Sequence, residues 1–369
     1  MSITYDHPGT YSFTIPSGMF ALGLDLYGAQ GGGGGKGSVG GKGGRAEVKI
    51  ATRPGDTYSV VVGGRGGLGP ADGGSNGGGS SRGARYSEEE AGSGGGATEV
   101  RRSDGSPILV AGGGGGGGGC TGSGVPGGTG GGQDGGIGHG GDAPGKGGSQ
   151  QAGGSGGRSA TWGADGKRGM GGSGGSPQNN LVGSGGGGGG GYYGGGGGGG
   201  GNFFGGGAVC FGGGQDGGGG GGGSGFGPHS VLFQSGVRAG EGLAIITFLA
   251  ALPPVPTVKL RVELDKPSSS AQQTVSWFIF VTALDTYGDR NPTFRGTIRF
   301  TTSERNMDLP KEYTFTARDD GAHVFTASAK VGLFSSVDLK FTVSDTHDSA
   351  LQTSATVPVR PTDAIHRPL

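Results

Sequence analysis

The sequence predicts a mainly β protein in which two antiparallel β-sandwiches follow one another, and the first carries an inserted bundle of polyglycine II helices. Three observations predict this architecture. Glycine accounts for 103 of the 369 residues, and 95 of these glycines lie within residues 29–242. Short apolar runs with the alternation of β-strands flank that segment on both sides. Beyond residue 257 the composition is ordinary, and strand-like runs alternate with turn signals.

The pure glycine runs have matched lengths. Gly112–Gly119 and Gly194–Gly201 contain eight residues each, and Gly185–Gly191 and Gly217–Gly223 contain seven. The alternative interpretation is a flexible linker, but a linker has no reason to repeat a length. Matched lengths therefore favour segments that each cross one common structure.

A period of three residues accompanies these runs. Between Ala152 and Asn179, one register of every third residue contains no glycine, and the other two registers hold all glycines of the stretch. Three residues per turn is the polyproline II geometry, which has no internal hydrogen bonds. We therefore predict helices that pair with one another, with pure runs in the centre and GGX runs at the periphery, where X meets water. Two shorter stretches repeat the pattern, at Lys36, Val39, Lys42 and Arg45 and at Val62, Arg65, Leu68 and Ala71.

Strands on both sides of the glycine-rich segment can close one sandwich, with the polyglycine helices as its long connections. In the clearest run, Phe20, Leu22, Leu24 and Leu26 share one face. A turn is predicted at 53–58. The predicted strands are 11–15, 20–27, 45–50, 57–64, 97–102, 106–113, 230–234 and 243–248.

Four pieces in fixed order resemble a known glycine-rich domain. They are YSFTIPSG (11–18), LDLYGAQGGGGGKG (24–37), RPGDTYSVVVGGRGG (53–67) and SPILVAGGGGGGGG (106–119). Residues 8–249 resemble the domain shared by tail and adhesin proteins of tailed phages and by the ectodomains of the leukocyte and anaplastic-lymphoma receptor tyrosine kinases. The resemblance implies a tumour-necrosis-factor-like (TNF-like) β-sandwich carrying packed polyglycine II helices, and in the phage members the loops at the bundle tip touch the host surface.

The phage branch fits this sequence better than the receptor branch. The first 18 residues lack the pattern of a signal peptide, and the longest apolar stretch, 243–252, is too short to cross a bilayer. Lys plus Arg and Asp plus Glu balance at 28 each, which disfavours nucleic-acid binding. The expected location is the phage tail of the virion, assembled in the host cytoplasm. The expected partners are other tail proteins and a host cell-surface glycan or envelope protein, and the resemblance implies a homo-oligomer such as a trimer.

The C-terminal part predicts a second domain. We expect a first domain at 1–250, a proline linker at 251–257, an immunoglobulin-like domain at 258–360 and a tail at 361–369. The stretches VTALDTYGDRNPTFRGTIRFTTS (281–303) and LPKEYTFTARDDGAHVFTASAK (309–330) resemble the bacterial immunoglobulin-like repeats of surface adhesins. The match covers residues 257–360 and implies a spacer or a weak glycan binder. Trp277, Phe280, Phe300 and Phe325 are expected in its core. The seven predicted strands are 258–264, 275–284, 296–302, 312–317, 322–329, 337–343 and 353–359.

No catalytic motif is present, and we expect neither an enzyme nor a bound cofactor or metal. Lys36 and Lys146 are each followed by glycine, so neither belongs to a P-loop, and HExxH, zinc-ligand and GxSxG spacings are absent. The acidic run 87–90 is either a solvated loop or a cation site. A metal site formed by Asp134, His139 and Asp142 remains an alternative. Cys120 and Cys210 are either free thiols or joined in one disulfide bridge.

The aromatic residues that interrupt the glycine runs are the candidate site residues. They are Trp162, Tyr192, Tyr193, Phe203, Phe204 and Phe211. If each run crosses the bundle once, these residues lie at its ends, either as lids buried against the sandwich or as a recognition tip. One eight-residue run separates the tyrosine pair from the Phe203–Phe204 pair, so the two pairs are expected at opposite ends. The sequence leaves open which pair is the tip.

The expected function is that of a structural and adhesive minor tail protein that presents a glycine-rich tip for host attachment through multivalent, weak receptor binding. Two alternatives remain. One is a bacterial cell-envelope or secreted adhesin exported without a classical signal peptide. The other is an ice-binding protein, which needs a regular face of threonine or small residues, whereas the X positions here mix Lys, Arg, Met and Val.

Overall fold

The computed structural model describes residues 1–83, 90–119, 124–140, 143–178, 182–201, 216–250, 257, 259–264, 268–269, 274–286, 288–303, 307–330 and 337–359. The chain divides into two units, Met1–Leu252 and Pro253–Leu369. The predicted linker, apart from Thr257, and the predicted tail lie outside the described residues. The predicted mainly β architecture is confirmed, because strands dominate the secondary structure of both units.

The first unit contains a two-sheet antiparallel sandwich. Its described strands are β1 (Ser2–Tyr5), β2 (Gly9–Thr14), β3 (Ala21–Tyr27), β4 (Gly43–Ala51), β5 (Thr57–Val62), β6 (Thr98–Arg102), β7 (Pro107–Ala111), β8 (Leu232–Arg238) and β9 (Leu243–Leu249). One sheet has the order β1-β9-β3-β4-β8 and the other the order β2-β5-β6-β7. A short 3-10 helix spans Gly35–Gly37. Strand β1 is an addition that the sequence pattern did not predict.

The core of this sandwich follows from the alternation of its strands. Leu22, Leu24 and Leu26 of β3 point inward and are fully buried, and they pack with Phe13 and with apolar side chains of the facing sheet. The prediction that Phe20 shares their face is wrong. Phe20 precedes the strand and is 53% exposed, so the alternation that buries the leucines does not include it.

The pure glycine run Gly112–Gly119 lies at the centre of six neighbouring segments. Its amides donate to carbonyl oxygens of three segments, and its carbonyl oxygens accept from the other three, at N···O distances of 2.7–3.1 Å. Every third amide returns to the same neighbour: Gly113 to Gly190, Gly116 to Gly187 and Gly119 to Ser184. This repeat is that of a helix with three residues per turn. The six segments lie within residues 29–34, 40–44, 92–96, 125–131, 184–191 and 217–223.

The other three pure runs are surrounded in the same way. Gly194–Gly201, for example, bonds to segments within residues 143–146, 154–157, 161–167, 172–175, 183–189 and 218–221. The prediction that pure runs occupy the centre of an ordered bundle is therefore confirmed. Bare backbone is required there, because each neighbour takes the space that a side chain would fill.

The GGX stretches form the periphery of the bundle. In the register that starts at Ala152, the described non-glycine residues through Ser176 are exposed or half-buried, whereas most glycines between them are buried. The expectation for Val62 is wrong, because Val62 ends strand β5 and its side chain is buried in the sandwich core rather than shown to water.

The second unit is also a two-sheet sandwich. Its described strands are β10 (Lys259–Leu264), β11 (Ser268–Ser269), β12 (Thr274–Leu284), β13 (Thr297–Thr302), β14 (Met307–Asp308), β15 (Glu312–Thr314), β16 (Ala322–Lys330), β17 (Val337–Asp345) and β18 (Gln352–Val359). One sheet has the order β10-β12-β16-β14, with β11 paired to β12, and the other has the order β15-β13-β17-β18. Strands β10, β12 and β16 correspond to A, B and E of an immunoglobulin-like sandwich, and β13, β17 and β18 to C, F and G.

Three of the four aromatic residues expected in this core are buried there, namely Trp277, Phe300 and Phe325. The prediction for Phe280 is wrong. Strand β12 turns Trp277, Ile279 and Val281 inward, so Phe280 points to the opposite face and is exposed.

Candidate functional site

The bundle has two ends. At the sandwich end, Gly28 and Gly112 directly follow strands β3 and β7. At the far end, Gly119 and Gly201 complete their runs and donate to the carbonyl oxygens of Ser184 and Gly183. A side chain in a break between runs therefore belongs to one end or the other.

Tyr192 and Tyr193 lie at the sandwich end. The ring of Tyr192 stacks on Phe226, with ring centroids 4.2 Å apart and an interplanar angle of 16°. Phe226 is joined to Val110 of strand β7 by two backbone hydrogen bonds. Tyr193 meets Tyr192 edge to face at 5.3 Å. Both tyrosines are half-buried, so this pair packs where the bundle joins the sandwich.

A cleft of about 550 Å³ opens beside Tyr192, between strands β6 and β7 and the adjoining glycine segments. We call it the junction cleft. Its floor and walls carry both donors and acceptors of hydrogen bonds, and its volume lies in the range of small-molecule sites. The side chains that give it chemical character are those of Asn76, Glu99, Arg101, Asp104, Arg168 and Tyr192.

Glu99 is the most buried charged group of the junction cleft, with 11% of its side chain exposed. Its Oε1 accepts from Nη2 of Arg101 at 2.6 Å and from Nδ2 of Asn76 at 2.9 Å. Among the residues that the structure describes, no donor reaches Oε2 of Glu99. The hydrogen bond to Glu99 raises the pKa of Arg101, so the Arg101 guanidinium stays charged near neutral pH.

Arg168 covers Tyr192 from the bundle side. Its Cζ lies 4.8 Å from the centroid of the tyrosine ring, and its Nη2 donates to the Tyr192 hydroxyl oxygen at 3.2 Å. Phe226, Tyr192 and Arg168 thus form one stack of flat groups. Across the cleft, hydrogen bonds from Ser106 lower the pKa of the exposed Asp104 carboxyl.

Trp162 lies at the far end. Its neighbour Thr161 accepts the amide hydrogen of Gly200, one residue before the end of that run. The indole is 66% exposed, and the Arg158 guanidinium carbon lies 4.9 Å from its centroid. Trp162 and the tyrosine pair are therefore on opposite ends of the bundle.

Several residues singled out in the sequence lie outside the described residues. These are Phe203, Phe204, Phe211, Cys120 and Cys210. Asp142 and residues 87–89 of the acidic run do as well. In the described part of the chain, no group of His, Cys, Asp or Glu is arranged to hold a metal ion. No helix within the described ranges has the length and apolar character of a membrane span.

A polar cluster of the second unit is centred on Asp319, whose side chain is 6% exposed. Its Oδ2 accepts from the Thr316 amide at 2.5 Å and the Thr316 hydroxyl at 2.8 Å. Its Oδ1 accepts from the Tyr313 hydroxyl at 2.9 Å and lies 2.6 Å from Nδ1 of His323. Burial raises the pKa of Asp319, but these hydrogen bonds outweigh burial and hold it at about 2. The cluster closes the turn between Thr316 and Asp319.

Sequence reasoning missed the junction cleft, although one signal was present. Glu99 and Arg101 are two residues apart on a predicted strand, which places them on one face and close enough to pair. Arg168 and Phe226 carried no such signal, because their approach to Tyr192 depends on how distant glycine segments pack.

No protein-family model matches the chain. A search of curated proteins finds none with significant similarity to it.

Proposed function

We propose that this chain is a structural and adhesive tail protein of a tailed phage. Its glycine bundle holds recognition groups at a fixed distance from the sandwich, and its far end contacts the host surface. The observation that carries this proposal is the bundle itself: four pure glycine runs, each bonded to six neighbours, join the sandwich to an end that bears an exposed tryptophan.

A rigid support of this kind suits recognition by weak contacts. Each eight-residue run spans roughly 25 Å at the rise of a three-residue turn. Side chains held on such a support lose little additional freedom when they bind, which lowers the entropic cost of each contact. Several copies on one particle then add their weak contacts together. The order of motifs in residues 8–249, which resembles phage tail and adhesin proteins, supports the same function.

The first test is location. Antibody raised against the purified chain and coupled to gold is applied to purified particles and to host envelopes. Label at the tail of the particle is expected. Label confined to host envelopes contradicts the proposal and favours a cell-envelope adhesin.

The second test compares Trp162→Ala with Met170→Ala. Both residues are apolar and exposed, at 66% and 61%, but Met170 adjoins the tyrosine pair at the sandwich end. Particles carrying Trp162→Ala should adsorb to host cells several-fold more slowly, because exposed aromatic groups carry much of the energy at binding surfaces. Particles carrying Met170→Ala should adsorb at the normal rate. Equal rates for both variants would contradict a role for the far end in host contact.

A further inference from the structure

Residues 158–162 join two antiparallel glycine segments at the far end of the bundle, and we call them the far turn. Backbone hydrogen bonds fix both ends of this turn. The amide of Gly163 donates to the carbonyl oxygen of Gly157 at 3.0 Å, and the amide of Gly200 donates to that of Thr161 at 3.0 Å. Trp162 is the one aromatic residue of the turn. The bundle therefore holds this indole group on a backbone that is already ordered.

The indole ring of Trp162 has one covered face and one free face. The guanidinium carbon of Arg158 lies 4.9 Å from the ring centroid and shields one side. Trp162 is nevertheless 66% exposed, so its other face is open to solvent. We propose that this free face binds a pyranose ring of a surface glycan and prefers acidic sugars. The inference rests on the proposed function, in which the far end contacts the host.

The extent of the apolar surface favours a sugar over a protein partner. Between Arg158 and Trp162 the far turn contains only small residues, namely Ser159, Ala160 and Thr161. The aromatic anchors of protein interfaces lie in packed pockets that exclude water, and an indole that is 66% exposed is not enclosed in this way. One face of a pyranose ring presents C–H groups over an area comparable to that of an indole, so a single sugar ring covers it. A rigid aromatic side chain also loses little freedom on binding.

Arg158 places a positive charge behind the indole ring. Within the described part of the chain no carboxylate forms an ion pair with Arg158. Asp165, on the neighbouring segment, instead accepts the amide hydrogen of Gly156 at 2.8 Å. A sugar ring in van der Waals contact with the free face lies roughly 8–9 Å from the guanidinium carbon. At that distance in water of low salt, the charge favours an anionic sugar and disfavours a cationic one by about twofold each.

The test is ligand-observed saturation-transfer NMR on the purified full-length chain at low salt. The probes are methyl β-glucoside and its derivatives that carry a carboxylate, a phosphate or an amine at C6. We expect transfer to the C–H protons of one ring face, with the acidic probes bound about fourfold more tightly than the amine. This difference should disappear at about 0.5 M salt, because salt screens charges at that distance. Transfer to none of the probes, or an amine bound as tightly as both acids, would overturn the assignment.

Variants of exposed residues locate the binding. Trp162→Ala removes the ring and should weaken binding of every probe about tenfold. Arg158→Gln removes the charge and the support of the ring, so binding of the neutral glucoside should fall by no more than about threefold while the preference for acidic probes is lost. Lys167→Gln is the matched control for charge. Lys167 is an exposed cation of the same GGX stretch, and its carbonyl oxygen accepts the amide hydrogen of Gly194 at the sandwich end, so this variant should keep both binding and preference.

Phe278→Ala removes an exposed aromatic side chain from the second unit and should leave binding unchanged. Unchanged binding in Trp162→Ala, or an equal loss in Phe278→Ala, would overturn the assignment.

These measurements use isolated protein, so they separate this inference from the proposed function. Particles that need Trp162 for adsorption, although the chain binds no glycoside, would indicate a protein receptor. That result overturns the glycan assignment and leaves the tail function intact. A chain that binds glycosides through Trp162 but never labels particles would refute the tail function and leave the glycan assignment intact.

Discussion

A Cβ atom added at Gly198 would lie 1.9 Å from the carbonyl oxygen of Gly218, which is far inside van der Waals contact. The same oxygen accepts the amide hydrogen of Gly186, so it cannot move without breaking a bond of the bundle. At the residue scale, the absence of a side chain is therefore a packing requirement in the centre of the bundle.

Gly198→Ala should lower the free energy of unfolding of the first unit by at least about 3 kcal/mol, since the methyl group forces neighbouring backbones apart. Gly23→Ala is the matched control. Its Cβ would meet only Thr247, at an ordinary 3.5 Å, and its expected change is within about 1 kcal/mol of zero. Urea unfolding of both variants measures the difference, and equal midpoints would contradict close packing at Gly198.

Asp319 should make the second unit sensitive to acid. Its pKa in the folded chain is about 2, below its ordinary value, so the stability it contributes is fully present above about pH 4. That stability is lost as pH falls towards 2, and its size is about 2 kcal/mol.

Asp319→Asn should remove this pH dependence between about pH 4 and 2. Fluorescence of the buried Trp277 reports unfolding when Trp162 is replaced by Phe. If the stability of Asp319→Asn fell as steeply between about pH 4 and 2 as that of the unchanged chain, the pH dependence would come from other carboxylates.

Single residues also show where sequence reasoning worked. Leu22, Leu24 and Leu26 were placed correctly because strict alternation fixes the face of a strand. Phe280 was placed wrongly because the same alternation that turns Ile279 inward points Phe280 to the opposite face of the strand. Glu99 was overlooked because a charged residue on a strand usually points to solvent.

At the scale of the element, every amide from Gly113 to Gly119 donates to a carbonyl oxygen of a neighbouring segment. At the periphery, the amides of Ser155 and Arg158 have no partner among the described residues. The central amides should therefore exchange with deuterium about a thousandfold more slowly than these two. Mass spectrometry with single-residue fragmentation measures both sets in one sample. Exchange as fast at Gly116 as at Ser155 would contradict a hydrogen-bonded centre.

The sequence predicted which glycine segments are central but not how they pair. Matched run lengths and the three-residue period depend only on local composition, and both were visible. The choice of neighbouring segments could not be predicted from the sequence. The amides and carbonyls of a helix with three residues per turn point outward on all sides, and they can pair with a neighbour of either chain direction. Residues 29–34 run parallel to Gly112–Gly119, whereas Gly185–Gly191 runs antiparallel to it. The position of Arg168 over Tyr192 depends on such pairings and could not be predicted for the same reason.

At the scale of the whole molecule, burial in the bundle concerns peptide groups far more than apolar side chains. Exposure of apolar surface raises the heat capacity on unfolding, and exposure of polar surface lowers it. With 103 glycines in 369 residues, the heat-capacity change per residue should fall clearly below the usual value of about 12–15 cal/mol/K. Scanning calorimetry at several pH values measures it, and an ordinary value would indicate that the bundle contributes little to the cooperative transition.

The three-residue turn also has a mechanical consequence. It already extends the chain to about 3.1 Å per residue, close to the limit of about 3.3–3.6 Å for any polypeptide. Tension along the axis can therefore lengthen each helix only slightly. The parallel and antiparallel helices of the bundle also divide the force among them. Such a rod stretches very little before its cross-bonds shear, so a pull at the far end reaches the sandwich almost undiminished.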